Sequence, residues 1–295
     1  MSPRLAAALG VLVISFSAIW VRLAAVSPAT AAFFRSAYAV LPLLLLVVIG
    51  AQSARRVGGR AERRGWRVRS LAVLAGALLG ADLVFWHAAI EHIGAGLATV
   101  LGNTQVVFVG AVAWLVHRER PSPTALATVP VVFAGVVLIS GLGRADAYGQ
   151  EPALGVLLGL CTALTYTAFL LIFRHANRAQ GPVAGPLLDA TLGAALAAWI
   201  AGQWESGFSL TPSWPEHGWL LVLALGSQVL GWLLISTALP RLAALETSVT
   251  LLLQPALTVL WAQILFQERL SPFQWLGAGL VLGGVGWLSI RGAVE

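Results

Sequence analysis

The chain has 295 residues, of which 58% are hydrophobic and only 10% charged, against about 25% charged in an ordinary soluble domain. A mean hydropathy of +0.85 leaves no polar stretch long enough for a separate soluble domain and predicts a multi-pass membrane protein. The net charge of +6 would suggest nucleic acid in a soluble protein, but every basic residue is arginine and most lie between apolar runs, where arginine sets topology, so nucleic acid is not an expected partner.

A span needs roughly 20 mostly apolar residues, and the charge gaps divide the chain into ten: Leu5–Ala25, Thr30–Gly50, Ser70–Ala89, Gly94–Leu115, Thr124–Leu142, Ala153–Phe173, Val183–Ala201, Trp219–Ala238, Leu242–Phe266 and Pro272–Ile290. All are expected to be helices, because an open sheet edge cannot be satisfied in lipid. The first could pass for a signal peptide, but another apolar run follows at once and an internal repeat needs it, so it is expected to be retained. Its Ser15 and Ser17 are helix-packing hydroxyls in the simpler reading. Arg22, close to its end, is expected to anchor to headgroups. Arg35 lies inside the second segment and either snorkels out, meets a carboxylate of the protein, or meets a carboxylate of a substrate.

The loop from Gln52 to Arg69 holds seven arginines against one acid, Glu62. It is expected on the cytoplasmic side, against anionic headgroups, and ten crossings then put both termini in the cytoplasm. With that orientation 14 arginines fall inside and 4 outside. In the third segment Asp82 is far from either end. A carboxylate there is costly unless paired, solvated or protonated, so it is a candidate for proton coupling or for an ammonium contact, with a structural hydrogen bond as the plain alternative. Trp86 is one turn on and shares its face; His87 points elsewhere and reads as an interhelical histidine. The fourth segment offers Asn103 and Gln105, which an unbroken helix would place on different faces.

The sixth segment carries Cys161, the only cysteine, together with Thr165, Tyr166 and Thr167. No disulfide, metal or cofactor is expected. The seventh is the weakest span, with Pro182, Pro186 and Asp189 at its start. The eighth carries Gln228, Trp232 and Ser236 at intervals of four, the pattern of an amphiphilic cavity wall. In the ninth, Glu246, Thr250 and Gln254 form one polar stripe, which faces protein or water rather than lipid. Pro255 beside Gln254 frees a carbonyl one turn back. Trp66, Trp204 and Trp219 read as interface anchors, and Gly76–Gly80 and Gly277–Gly286 as close-packing faces.

A shift of 149 residues brings the halves into register: Gly10 on Gly159, Ala95 on Ala244, Gln105 on Gln254, Glu119-Arg120 on Glu268-Arg269, Ser122-Pro123 on Ser271-Pro272 and Gly135 on Gly284. Five helices per copy is odd, so the second copy enters the membrane from the opposite side. Residues 1–145, with the arginine-rich loop 51–69, and residues 150–295 are therefore expected to be two inverted-topology five-helix repeats, an arrangement that places a transporter's substrate site between the repeats. The repeated turns at Glu119–Pro123 and Glu268–Pro272 read as caps that start the next helix.

These turns, the Gln254-Pro255 pair and the glycine-rich tail from Gly277 resemble the EamA-type transporters of the drug/metabolite transporter superfamily over essentially the whole chain. The resemblance implies ten helices in two repeats and secondary transport, often export, of small metabolites such as amino acids. Where that family often has proline in the fourth helix this chain has Val106, so a bend at Gly102 is expected instead. No set of residues reads as catalytic, and an enzyme is not expected. The expected function is alternating-access export of a small polar or amphiphilic metabolite across the cytoplasmic membrane, with a channel-like facilitator as the alternative. The candidate site residues are Asp82, Trp86, Arg35, Gln105, Asn103, Tyr166, Gln228, Trp232, Glu246, Thr250 and Gln254. The lipid bilayer and a small-molecule substrate are the expected partners, with protons through Asp82; monomer and homodimer both stay open.

Overall fold

A computed structural model describes residues 2–56, 64–117, 123–141, 144–176, 184–238, 241–242 and 244–291, without the side chains of 54–56, 113, 116–117, 125, 236 and 244–249. Every regular element among them is helical. In chain order these are α1 (Pro3–Ser15), α2 (Ser17–Ala24), α3 (Pro28–Arg56), α4 (Trp66–Gly102), α5 (Gln105–His117), α6 (Pro123–Ile139), α7 (Pro152–Ala176), α8 (Ala184–Gly202) and α9 (Glu216–Leu223). A π-helical segment (Ala224–Gly231), α10 (Trp232–Ala238), α11 (Ala244–Phe266) and α12 (Pro272–Arg291) complete the chain.

These helices make the ten expected spans, three of which are interrupted. Span one is α1 and α2, broken at Phe16, where Ser15 Oγ donates to the Leu12 carbonyl at 2.7 Å and so competes with the helical ladder. The helix α4 is two spans in one assignment. Gly94, at φ 81° and ψ 167°, takes a conformation open in practice only to glycine and turns span three into span four. Span four then breaks again before α5. Asn103 Nδ2 donates back to Thr99 O at 2.8 Å and Thr104 Oγ1 to Leu101 O at 2.7 Å, so the bend expected at Gly102 is present. Span eight runs through α9, the π segment and α10.

The packing is symmetric about the repeat. Span five (α6) lies on span ten (α12), and span two (α3) on span seven (α8), each against its own counterpart. Span three packs on span six as span eight packs on span one. Glycines set the closest approaches. A Cβ on Gly135 would strike the Gly277 carbonyl and one on Gly277 the Gly135 carbonyl, while Gly76 and Gly193 leave the same room between spans three and seven. This is helix association through small residues, as expected where lipid supplies no hydrophobic drive between helices. Large apolar side chains such as Leu41, Leu115 and Phe133 remain exposed on the surface that lipid covers.

Ten spans return the chain to the end at which it began; the opposite, far end carries the turns after α2, α6, α8 and α11. There the repeats are tied by polar groups. Glu268, buried in the turn before α12, accepts the N–H groups of Ala95 (2.7 Å) and Gly96 (3.2 Å), the orphan donors where the helix restarts after Gly94. It also pairs with Arg22, whose guanidinium lies over Phe266. The sequence expectation is corrected twice here. Glu268 caps a distant helix rather than its own turn, and Arg22 is an ion-pair partner rather than a headgroup anchor. Gln274 bridges the Tyr148 N–H (2.7 Å) and carbonyl (2.9 Å), and Glu205 accepts the Ala29 N–H at 2.8 Å. At the termini end Arg64 (2.9 Å) and Arg69 (3.2 Å) pair with buried Asp189, so part of the arginine-rich loop holds span seven. Trp66 and Trp204 are exposed at helix ends, but Trp219 packs on the core and is not a free interfacial anchor.

Candidate functional site

A cavity of about 280 Å³ lies between the two repeats. The first repeat supplies Arg35, Asp82, Trp86, Asn103 and Gln105; the second supplies Tyr166, Trp232 and Gln254. Eight of the eleven sequence candidates therefore share one wall. Asp82 and Trp86 meet because they are four apart on α4. Asn103 and Gln105, two apart, both reach the cavity because the helix is broken between them, which an unbroken helix would forbid.

Three candidates lie elsewhere or outside the described atoms. Gln228 is fully buried behind the wall, not in it. Its Oε1 accepts Arg35 Nε at 3.2 Å and its Nε2 donates to Thr191 Oγ1 at 3.3 Å, so it aims Arg35. The π segment that holds Gln228 widens the turn and removes the even four-residue spacing to Trp232, which explains the departure from the expected stripe. Thr250 is partly buried on α11 and does not line the cavity. Glu246 belongs to α11 and its side chain is outside the described atoms, as is Ser236. Of the repeat turns, Glu119 lies outside the described residues; Pro123 and Pro272 are the first residues of α6 and α12.

Among the described residues the cavity is lined by one carboxyl group, Asp82, and one guanidinium, Arg35. Asp82 and Arg35 are both buried, and their charges attract across the space. Among the described residues the Asp82 carboxyl group takes no hydrogen bond and no ion pair. Arg35 also lies over Trp86, 5.9 Å from the ring centroid. Trp86, Tyr166 and Trp232 add apolar faces with polar edges. Pro255 cannot donate to the Leu251 carbonyl, and Leu251 and Gln254 both line the cavity.

Sequence reasoning passed over Ser17, Thr99 and Thr162 as lining residues. Thr99 Oγ1 donates to Ala95 O at 2.8 Å and Thr162 Oγ1 to the Asp82 carbonyl at 3.5 Å; a hydroxyl on an apolar helix carries no signal that separates a cavity wall from a packed face. Ser15, Thr165 and Thr167 serve packing. Trp261 Nε1 donates to Ser15 Oγ at 3.0 Å, and Thr165 and Thr167 bond carbonyls of their own helix at 2.7 Å. His87 Nδ1 meets the Pro28 carbonyl at 3.1 Å, on a different face from Asp82.

Residues 1–141 and 153–290 each match the EamA-like transporter family. Two relatives in Bacillus subtilis (strain 168) are similar over most of their length: the uncharacterized transporter YwfM is 25% identical over 220 residues, covering 73% of this chain and 71% of its own. The uncharacterized transporter YvbV is 27% identical over 213 residues, covering 71% and 68%. A solved crystal structure, 17% identical, shares the fold over 98% of this chain and 96% of its own with a TM-score of 0.62. With ten spans in two inverted repeats around one polar cavity, and with both repeats matching, the chain belongs to the EamA-like transporter family of the drug/metabolite transporter superfamily and is a multi-pass membrane transporter of small molecules.

Proposed function

We propose that the protein is a secondary transporter that exports a small zwitterionic or amphiphilic metabolite, an amino acid or a similar compound, across the cytoplasmic membrane. The observation that carries this reading is that Asp82, without a hydrogen-bond or ion-pair partner among the described residues, shares a cavity built from both repeats with Arg35. An ammonium fits Asp82, a carboxylate fits the guanidinium of Arg35, and the aromatic faces of Trp86, Tyr166 and Trp232 suit an apolar side group. The volume of about 280 Å³ matches a small metabolite.

Transport proceeds by alternating access, with residues 1–145 and 150–295 rocking about the cavity. The arginine excess places both termini in the cytoplasm, and the far end then faces outward. The bonds of Glu268 to Ala95, Gly96 and Arg22 join the two repeats at that end, and they must part for the cavity to open there. Asp82 carries a proton when it does not carry the ammonium, because an ionised carboxylate alone at that depth is costly; this couples export to proton entry.

Counterflow in proteoliposomes tests the reading. With purified protein and a panel of labelled amino acids, one class of compound should exchange and should accumulate against an imposed pH gradient. Equilibration without counterflow would replace the carrier by a channel-like facilitator.

A further inference from the structure

The far end holds a second and larger cavity of about 660 Å³ that shares no lining residue with the central one. It is formed by the turn between α2 and α3, the end of span three and residues 148–150. His87 and Glu91 line it together, four apart on one face of α4. The His87 ring is 1% exposed. Its Nδ1 must donate to the Pro28 carbonyl, which can only accept, so the neutral ring leaves Nε2 as an acceptor, and this buried Nε2 has no partner among the described residues. The Glu91 carboxylate likewise takes no bond among the described residues, and Glu205 lies near enough to repel it. Arg22 and Tyr148 line the same cavity. Arg22 bonds Glu268 and, at 3.5 Å, Tyr148, which leaves N–H donors unused on its guanidinium.

The vestibule thus brings together a carboxylate acceptor, Glu91, and the N–H and O–H donors of Arg22 and Tyr148, with His87 and His92 beside Glu91. We propose that it is a binding site for a zwitterionic primary amine, whose ammonium bonds Glu91 beside the His87 ring and whose anionic group bonds Arg22 and Tyr148. Two sources share that chemistry: a free solute and the headgroup of phosphatidylethanolamine. A quaternary amine has no N–H to give this acceptor and is excluded. The site shares no lining residue with the central cavity, so its binding can be tested apart from transport.

The test uses a Cys161→Ser, Gln150→Cys protein, whose cysteine lines the vestibule, in nanodiscs of phosphatidylcholine and phosphatidylglycerol, labelled with an impermeant maleimide. O-phosphoethanolamine at ten times its Kd should slow labelling about tenfold, O-phosphocholine should not, and Glu91→Gln should abolish the protection. The same protection in the Asp82→Asn background separates this site from the central one. If nanodiscs containing phosphatidylethanolamine are already protected and the soluble probe adds nothing, the lipid is the ligand; if only the soluble probe protects, the ligand is a solute. Equal protection by O-phosphocholine, protection that survives Glu91→Gln, or no effect of either amine source would overturn the proposal.

Discussion

Two buried carboxylates in this protein are treated in opposite ways. Glu268, in the turn before α12, has two backbone N–H donors and an arginine around it. Asp82, at the middle of span three, has no hydrogen bond or ion pair among the described residues and only the field of Arg35. Taking an ion from water costs several kcal/mol unless hydrogen bonds and a counter-charge restore what is lost. At Glu268 such bonds are present and tie the repeats together, although burial still outweighs them at the carboxyl group. At Asp82 no such bonds occur among the described residues, and the proposed role for it rests on that difference.

The sharpest way to break this comparison is to neutralise each acid. Asp82→Asn should abolish pH-driven exchange in proteoliposomes, a loss of about a hundredfold or more, while the thermal midpoint in detergent holds, because on the proposed reading the amide replaces a carboxyl group that is already neutral in the empty cavity. Transport with unchanged pH dependence would sink the proton-coupling role. Glu268→Gln should do the reverse to stability. An amide cannot give both Ala95 and Gly96 an acceptor and cannot pair with Arg22, so unfolding should become easier by about 2–3 kcal/mol, measured by the loss of detergent-solubilised monodisperse protein on heating.

A smaller effect is expected at Gly94→Ala. The residue holds φ 81°, and an added Cβ would press on the Glu268 carboxyl; a cost of about 1–3 kcal/mol follows from the backbone alone, with the tie weakened as well. Cysteine accessibility at the far end, measured with an impermeant thiol reagent at an introduced Ala95→Cys, should rise with it. The mildest prediction concerns pH. Burial raises the Glu268 carboxyl above its ordinary range and outweighs the bonds from Ala95, Gly96 and Arg22; burial raises Glu205 too, against its bonds from Ala29 and Ser27. The folded protein then binds these protons more tightly than the unfolded chain, so stability falls as pH rises between the ordinary value and the raised one. Acidifying from about pH 7 to about pH 5 should raise the thermal midpoint slightly, and less so in Glu268→Gln. A midpoint that falls over that interval in both proteins would contradict the assignment.

The sequence by itself determined the spans, their number and the inverted repeat, because a bilayer enforces a period of roughly 20 apolar residues and an odd number of helices per copy leaves only one relation between the halves. It also pointed to Asp82, Arg35 and Gln254, since polar side chains at membrane depth are costly enough to stand out against their neighbours. Only the tertiary structure decided which polar groups meet. Gln228 carries the same signal as Trp232 yet sits behind the wall, because a π segment shifts its angle. Asn103 and Gln105 reach one cavity only through the break between α4 and α5. The partners of Glu268 are 246, 173 and 172 residues away along the chain. Spacing along one helix fixes an angle about its axis, but a hydrogen bond between distant segments depends on where whole helices come to rest, and no local pattern of residues encodes that.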